Sequence, residues 1–172
     1  MKKLVLSLVV ICIVVTGCAT VQSIIKSTFP YTAILTIPAN TKSNTAQTVS
    51  SSTSSFDEIF GNQNGTSYIK DVKVASVRLD ASNPTRQSLG IFKSVKLFVV
   101  NTSGSEVMVA SRSDVSENIG NNLVLDIDNS RFVDDYIRGS NLKVRMEYVL
   151  RNSLASEVSV RAAINFSASP NQ

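Results

Sequence analysis

Histidine and tryptophan are absent from this 172-residue chain, and cysteine occurs only twice. Without histidine the chain lacks the commonest general base and metal ligand, which excludes Ser-His-Asp catalysis. Two cysteines cannot build a zinc site of the CxxC…CxxC kind or a disulfide framework. Four prolines and seven glycines are too few for a collagen-like or a Pro/Gly-rich disordered chain. These absences leave a domain of ordinary size that must be held together by its apolar core.

The net positive charge of the chain is small, and its basic residues are scattered along the sequence. The chain has 17 Lys and Arg against 13 Asp and Glu, a net charge of +4. Removal of residues 1–17 would take away Lys2 and Lys3 and no acidic residue, which lowers the net charge to +2. The remaining basic residues occur singly, so the sequence predicts no nucleic-acid-binding surface.

Residues 1–17 have the composition of a secretory signal peptide. A basic start is followed by an apolar run of twelve residues, which is shorter than the roughly 20 residues of a membrane-spanning helix. The run ends in Val15-Thr16-Gly17-Cys18, and this segment resembles the lipobox of bacterial lipoproteins. The resemblance implies diacylation of the Cys18 thiol, cleavage before Cys18 and acylation of the new amine. An ordinary secretory signal and an uncleaved membrane anchor stay open as alternatives.

The resemblance also carries an expectation about location. By that resemblance, Asp after the lipidated Cys retains a lipoprotein at the inner membrane, so Ala19 favours the outer membrane of a Gram-negative source. Several acyl chains hold a protein on a membrane where a single chain does so only marginally. Residues 18–27 would then be a lipidated tether reaching about 30 Å at most. We expect a periplasm-facing domain over 28–172, with the membrane and an envelope protein as its partners.

Alternating apolar and polar residues, which are typical of half-buried strands, dominate the chain after residue 28. The alternation is cleanest over 142–150 and 158–166, and these two segments predict an antiparallel hairpin. Pro30 near the start of the first strand predicts that this strand lies at a sheet edge. The segment 41–55 contains ten Ser or Thr and predicts a loop with a weak edge strand near 46–52.

The apolar phase changes once within a single strand. Val72 and Val74 lie in one phase and Val77 and Leu79 in the other, which predicts a β-bulge near Ala75-Ser76 or a strand that crosses between sheets.

Two short helical turns are also predicted. The first begins with a capping-box pattern at Ser55-Phe56-Asp57-Glu58, and the second is expected to be capped by Ser130 and to end at Gly139.

Seven or eight short strands with two helical turns predict an all-β fold, an antiparallel β-sandwich, with a closed β-barrel as the alternative. The segment GNNLVLDI, followed by a short helix and a terminal hairpin, resembles uncharacterised single-domain sandwiches of bacterial envelope lipoproteins. The resemblance covers roughly residues 65–168. It implies a fold and no activity, because the shared residues serve packing and turns.

Five residues are candidates for ligand contact. Four clustered acids, Asp126, Asp128, Asp134 and Asp135, could supply oxygen ligands to Ca²⁺. The segment lacks the Gly and the distal Glu of a calcium loop, so a solvent face and the start of a helix explain the same acids. Tyr68, beside an Asn-Gly loop, is the aromatic ring that we expect to be exposed for a ligand.

No residue pattern predicts catalysis, and no cofactor is predicted. We expect a lipid-anchored, non-enzymatic module that contacts a protein or an envelope polymer. A small-ligand, carbohydrate or calcium-binding lipoprotein is the alternative. A hydrolase is disfavoured because no spacing selects a pair of acids facing one cleft. An open edge strand could also accept a partner's strand.

Overall fold

The computed structural model describes residues 27–57, 65–138 and 142–171. These residues form eight antiparallel strands in one sheet, in the order β1-β8-β3-β6-β5-β4-β7-β2. The strands are β1 (Ser27–Ile37), β2 (Ala46–Ser50), β3 (Ile69–Asn83), β4 (Phe92–Val100), β5 (Glu106–Arg112), β6 (Asn122–Ile127), β7 (Lys143–Leu150) and β8 (Val158–Pro170). The predicted all-β class is confirmed. The order starts at β1 and ends at β2, so the described strands form an open sheet and not a closed barrel.

The sheet curls into two halves that enclose one core. Strands β1, β8, β3 and β6 form one half, and β2, β7, β4 and β5 form the other. The halves join between β5 and β6 through two residue pairs, Ala110↔Ile127 and Ser111↔Asp126. One core cluster includes buried residues of both halves, such as Phe166 of β8 and Tyr148 of β7. The predicted antiparallel sandwich is therefore confirmed.

The core follows the alternation seen in the sequence. Along β7 and β8 every second side chain is buried, as the pattern over 142–150 and 158–166 predicts. Tyr31 of β1 and Tyr148 of β7 are both buried. Burial raises the pKa of Tyr148 above its ordinary value, and a hydrogen bond with Thr41 offsets part of this rise.

Two finer predictions are confirmed. The segment 46–50 forms the edge strand β2, which pairs with β7. In β3 the pairing register shifts between Val74 and Ser76. Ala75 and Ser76 are both exposed, so Val74 and Val77 can both be buried although they lie three residues apart. The bulge thus returns the apolar side chains to the core face.

The predicted hairpin of β7 and β8 is wrong. β7 lies between β4 and β2, whereas β8 lies between β1 and β3 in the other half. The connection 151–157 crosses from one half to the other, and Leu154 is buried within it. Alternation shows which face of a strand is buried but does not show which strand lies alongside.

The helical turns differ in part from the expectation. One α-helical turn, α1, spans Asp134–Ile137, and two 3₁₀ turns span Gly65–Tyr68 and Leu89–Ile91. Val133 stands at the N-cap of α1, so the prediction that Ser130 caps it is wrong. The Ser130 hydroxyl donates to Asp128 Oδ1 at 2.6 Å instead, a local turn that competes with capping.

Two further predictions fall wholly or partly on residues that are not described. The turn predicted from Ser55 is described only at its start, where Asp57 N donates to Ser55 Oγ at 3.2 Å, and residues 58–64 lie outside the described residues. The predicted signal peptide and most of the predicted tether, residues 1–26, also lie outside them. No helix within the described ranges is long and apolar enough to cross a membrane.

Candidate functional site

The sandwich has two ends, which differ in chemistry. β1, β3, β5 and β7 run towards one end, and β2, β4, β6 and β8 run back from it, so four loops meet there. We call this the loop end, made of residues 38–45, 84–91, 113–121 and 151–157. The base end is the opposite one, where β1 begins and β8 finishes. It comprises residues 51–57, 65–68, 101–105 and 128–138.

Backbone hydrogen bonds tie the loops of the loop end to one another. Leu89 N donates to Gly120 O at 2.6 Å, and Asn40 N donates to Leu154 O at 2.9 Å. Val115 N donates to Lys93 O at 3.1 Å, next to the start of β4. Loops that bond to one another in this way form a surface of defined shape.

An open cleft of about 550 Å³ lies at the loop end. The side chains of Ile91 and Leu154 form its apolar part. Its polar lining consists of three charged and three neutral side chains, those of Lys93, Arg151, Glu117, Ser88, Ser153 and Asn152. This lining offers hydrogen-bond donors and acceptors and both signs of charge.

Arg151 organises the cleft. Its Nε donates to Gly90 O at 3.0 Å, and its Nη2 donates to Val115 O. Its Nη1 lies 3.3 Å from Glu117 Oε1, and its backbone N donates to Ile91 O at 2.8 Å. One side chain therefore connects three loops, and the planar fork of the guanidinium group suits this task.

Gly90 lets two of these loops approach closely. A Cβ atom at this position would lie 2.0 Å from the backbone oxygen of Glu117. Any larger residue would push the 113–121 loop away and widen the cleft. Position 90 therefore requires glycine because there is no room for a side chain. Position 104, in the β4–β5 turn, has room for one but favours glycine because its φ is +83°.

The base end carries exposed aromatic rings. Tyr68 is 66% exposed and Phe132 is 54% exposed. The Lys73 ammonium group lies over the Phe132 ring, 4.7 Å from its centroid. Tyr68, which the sequence marks as a ligand-contact candidate, is thus exposed, but it lies at the end opposite the cleft.

The four acids suggested for calcium do not come together. Asp126 pairs with Arg112 at 3.2 Å, and Asp134 Oδ2 accepts from Val72 N at 3.0 Å. Hydrogen bonds from the side chain and the backbone of Ser130 lower the pKa of Asp128. Asp135 is exposed on α1. Within the described part of the chain, no three acidic side chains are grouped closely enough to hold a metal ion.

The outer face of the second half carries ion pairs beside an aromatic ring. Arg145 donates twice to Glu106, at 2.6 Å each, and its guanidinium carbon lies 4.0 Å from the centre of the Phe98 ring. Lys96 pairs with Glu147 at 2.9 Å. The hydrogen bond from Arg145 lowers the pKa of Glu106, and the same bond raises the pKa of Arg145. These contacts order the surface without enclosing a site.

The sequence did not reveal the cleft. Lys93, Glu117 and Arg151 stand singly in a strand and two polar loops, at separations of more than twenty residues. No motif joins them, because their proximity depends on which loops meet at one end of the sandwich.

No protein-family model and no curated protein matches this chain. Among solved structures it is similar to one concerning the promiscuous specificity of carbohydrate-binding modules from the β-sandwich superfamily. That match has a TM-score of 0.32 and 6% identity over 79% of this chain and 54% of the other. The VP2 subviral particle of infectious bursal disease virus gives a TM-score of 0.30 and 10% identity, over 86% of this chain and 43% of the other. The chain thus spans about half the length of these structures.

Proposed function

We propose that this chain is a lipid-anchored, non-enzymatic module of the bacterial cell envelope that presents its loop-end cleft to a protein or an envelope polymer. The observation that carries the proposal is the position of the lipobox-like segment. Cys18 lies nine positions before Ser27, where β1 begins at the base end. The cleft is at the other end.

The dimensions support this orientation. A tether of nine residues reaches about 30 Å at most. β8 has 13 residues and extends from the loop end to the base end, which at about 3.3 Å per residue is roughly 40 Å. An anchor at Cys18 would therefore keep the base end within about 30 Å of the bilayer, with the cleft at the far end of the sandwich.

The chemistry of the cleft supports contact and not catalysis. The Ser88 hydroxyl accepts from Gly90 N at 3.1 Å, so it serves the turn in which it lies. Glu117 is the only carboxylate among the residues described as lining the cleft, whereas hydrolysis by a carboxylate pair needs two. Arg151 is occupied by three loop partners. A cleft of this kind can bind a polar or charged segment of a partner through Lys93, Asn152 and Ser153.

Binding of a small ligand or a carbohydrate is the second candidate. It is favoured by the cleft volume of about 550 Å³, which lies in the range of small-molecule sites. Tyr68 would not stack on a sugar held there, because it lies at the base end. Calcium binding would need the four Asp side chains to move together.

The anchor is tested by lipid analysis of the full chain expressed in a Gram-negative host. The wild-type chain and Cys12→Ser should both partition into detergent and carry acyl groups on residue 18 by mass spectrometry. Cys18→Ser should carry none. The matched pair separates lipidation from a general effect of removing a thiol. An unmodified Cys18 in the purified wild-type chain would refute the anchor.

Contact through the cleft is tested by photo-crosslinking in intact cells. A crosslinking amino acid at Ser153 should give a discrete adduct with a protein or with envelope polymer. The same reagent at Thr32, exposed on β1, serves as the control and should give none. Equal adducts at both positions would show that the cleft is not the contact surface.

A further inference from the structure

We propose that the base end is a membrane-contact surface. Tyr68 and Phe132 enter the headgroup region of the same bilayer that holds the acyl chains, and they fix the orientation of the sandwich on it. This inference rests on the proposed lipid anchor and adds a second, non-covalent contact with the membrane.

The rings and the start of the described chain converge on the last residues of β8. Ser27, the first described residue, pairs with Ala168. Asn171 N donates to Tyr68 O at 2.8 Å, immediately after β8. Phe132 borders a shallow pocket whose wall includes Ser167 and Ala168. The segment that leads back to Cys18 therefore leaves the sandwich from β1, which is separated by β8 alone from β3, the strand beside which both rings lie.

The distribution of exposed apolar side chains points to the same end. Among the described residues, four large apolar side chains are exposed, those of Ile34, Tyr68, Val124 and Phe132. Ile34 and Val124 are aliphatic and lie within the strands β1 and β6. Both aromatic members lie at the base end. Aromatic rings, and Tyr in particular with its polar tip, are suited to the boundary between water and lipid.

The charges around the rings are balanced. Lys70 and Lys73 flank Asp71 on β3, and Arg131 stands before α1, which starts with Asp134 and Asp135. Lys73 covers the Phe132 ring, and its long stem lets the ammonium group stay in the headgroup layer while the ring is buried. Because the opposite charges offset one another, the contact depends on the rings and is only weakly sensitive to salt.

The short tether makes a weak contact sufficient. A covalent anchor within about 30 Å holds the base end at a high effective concentration near the bilayer. Two rings that would not bind vesicles on their own can then set the orientation. The result is that the loop-end cleft points steadily away from the membrane.

Because the chain has no tryptophan, a single introduced Trp reports on its own surroundings. Phe132→Trp places the reporter at the base end, and Val124→Trp places the control on the exposed face of β6. Each full-length, lipidated variant is reconstituted into phosphatidylethanolamine–phosphatidylglycerol vesicles with and without brominated acyl chains. Flotation of the vesicles measures anchoring separately from Trp depth.

We expect both variants to float. The emission of Phe132→Trp should shift to shorter wavelength and should be quenched by brominated lipid several-fold more strongly than that of Val124→Trp. Adding Tyr68→Ser to Phe132→Trp should weaken the quenching, and raising the salt concentration should change it little.

Three outcomes would overturn the proposal, and they are distinguishable. Failure of both variants to float refutes the anchor, and with it this inference. Flotation with equal, weak quenching of both reporters leaves the anchor and refutes the membrane contact. A shifted emission from Phe132→Trp that brominated lipid does not quench assigns the surface to a protein partner or a second copy of the chain.

Discussion

Backbone hydrogen bonds join the segments at both ends of the sandwich, but the loop end and the base end leave different groups at the surface. At the loop end a guanidinium group and backbone hydrogen bonds tie four loops together around a polar cleft. At the base end Asp134 ties α1 to β3, and two aromatic rings stay exposed. Directional hydrogen bonds can hold cleft walls apart, whereas apolar contacts alone would collapse the space between them. The loop end thus holds a polar cleft of defined shape, and the base end leaves two aromatic rings exposed, as the proposed membrane contact requires.

The largest expected effect is on the loop end, from Gly90→Ala. Its Cβ would meet the backbone oxygen of Glu117 at 2.0 Å, so one of the two loops must move. We expect a loss of about 3 kcal/mol in the free energy of unfolding, the upper end for overpacking. Urea denaturation measures it. Gly104→Ala introduces no clash and is strained only by the positive φ, so its free energy of unfolding should fall by only about 1 kcal/mol. Equal losses would show that the close approach at Gly90 does not matter.

Next in size is Arg151→Met, which keeps the aliphatic stem and removes the guanidinium group. The carbonyl oxygens of Gly90 and Val115 lose their donor, and we expect a loss of about 2 kcal/mol. Contacts at the cleft should weaken as well, detectable as a weaker crosslink from Ser153. Arg131→Met at the base end, an exposed cation, is the matched control and should be near neutral. If Arg151→Met were as stable as Arg131→Met, the guanidinium group of Arg151 would not be what holds the loop end together.

A smaller effect is expected at the base end from Asp134→Ala. Its carboxylate accepts from Val72 N, where the register of β3 with β8 is shifted between Lys70 and Lys73. Losing this acceptor should cost about 1 kcal/mol, measured as a lower urea midpoint. Asp134→Asn keeps an acceptor and should lose less. Asp135→Ala, on the exposed side of α1, should be silent, and a comparable loss there would contradict the assignment.

The smallest effect concerns the ion pair of Glu106 and Arg145 on the outer face near the base end. Arg145 lowers the folded-state pKa of Glu106, so the pair adds stability above the ordinary carboxyl pKa. This stability is lost as the pH falls through the lowered pKa. Glu106→Gln should remove that part of the acid dependence of the urea midpoint and cost about 0.5 kcal/mol at neutral pH. An unchanged acid profile would show that the exposed pair contributes nothing.

Predictions that depend on local pattern were the most accurate. The phase change in β3 required an extra residue, and the bulge lies at Val74–Ser76. The Ser/Thr-rich segment was expected to hold a weak edge strand, and β2 is that strand. Both follow from the period of a strand and from side-chain size, which act within a few residues.

Predictions that depend on partners were less accurate. β7 and β8 have the cleanest alternation in the chain, yet they lie in opposite halves. The Ser130 hydroxyl could accept from the N–H groups at the start of α1 or donate to Asp128, and the nearer partner was preferred. In each case the sequence pattern allowed two arrangements, and only the contacts in the folded chain show which one forms.

The sequence by itself determined the strand segments, the buried face of each strand and the exposure of Tyr68, because these depend on the alternation of side chains and on neighbouring turn residues. Only the tertiary structure decided the strand order, the meeting of Lys93, Glu117 and Arg151 in one cleft, and the gathering of both exposed rings at the end where β1 begins. The physical reason is the sequence distance over which the interactions act. The burial pattern of a strand depends on residues a few positions apart, whereas a cleft forms only where loops that are distant in sequence pack and hydrogen-bond together.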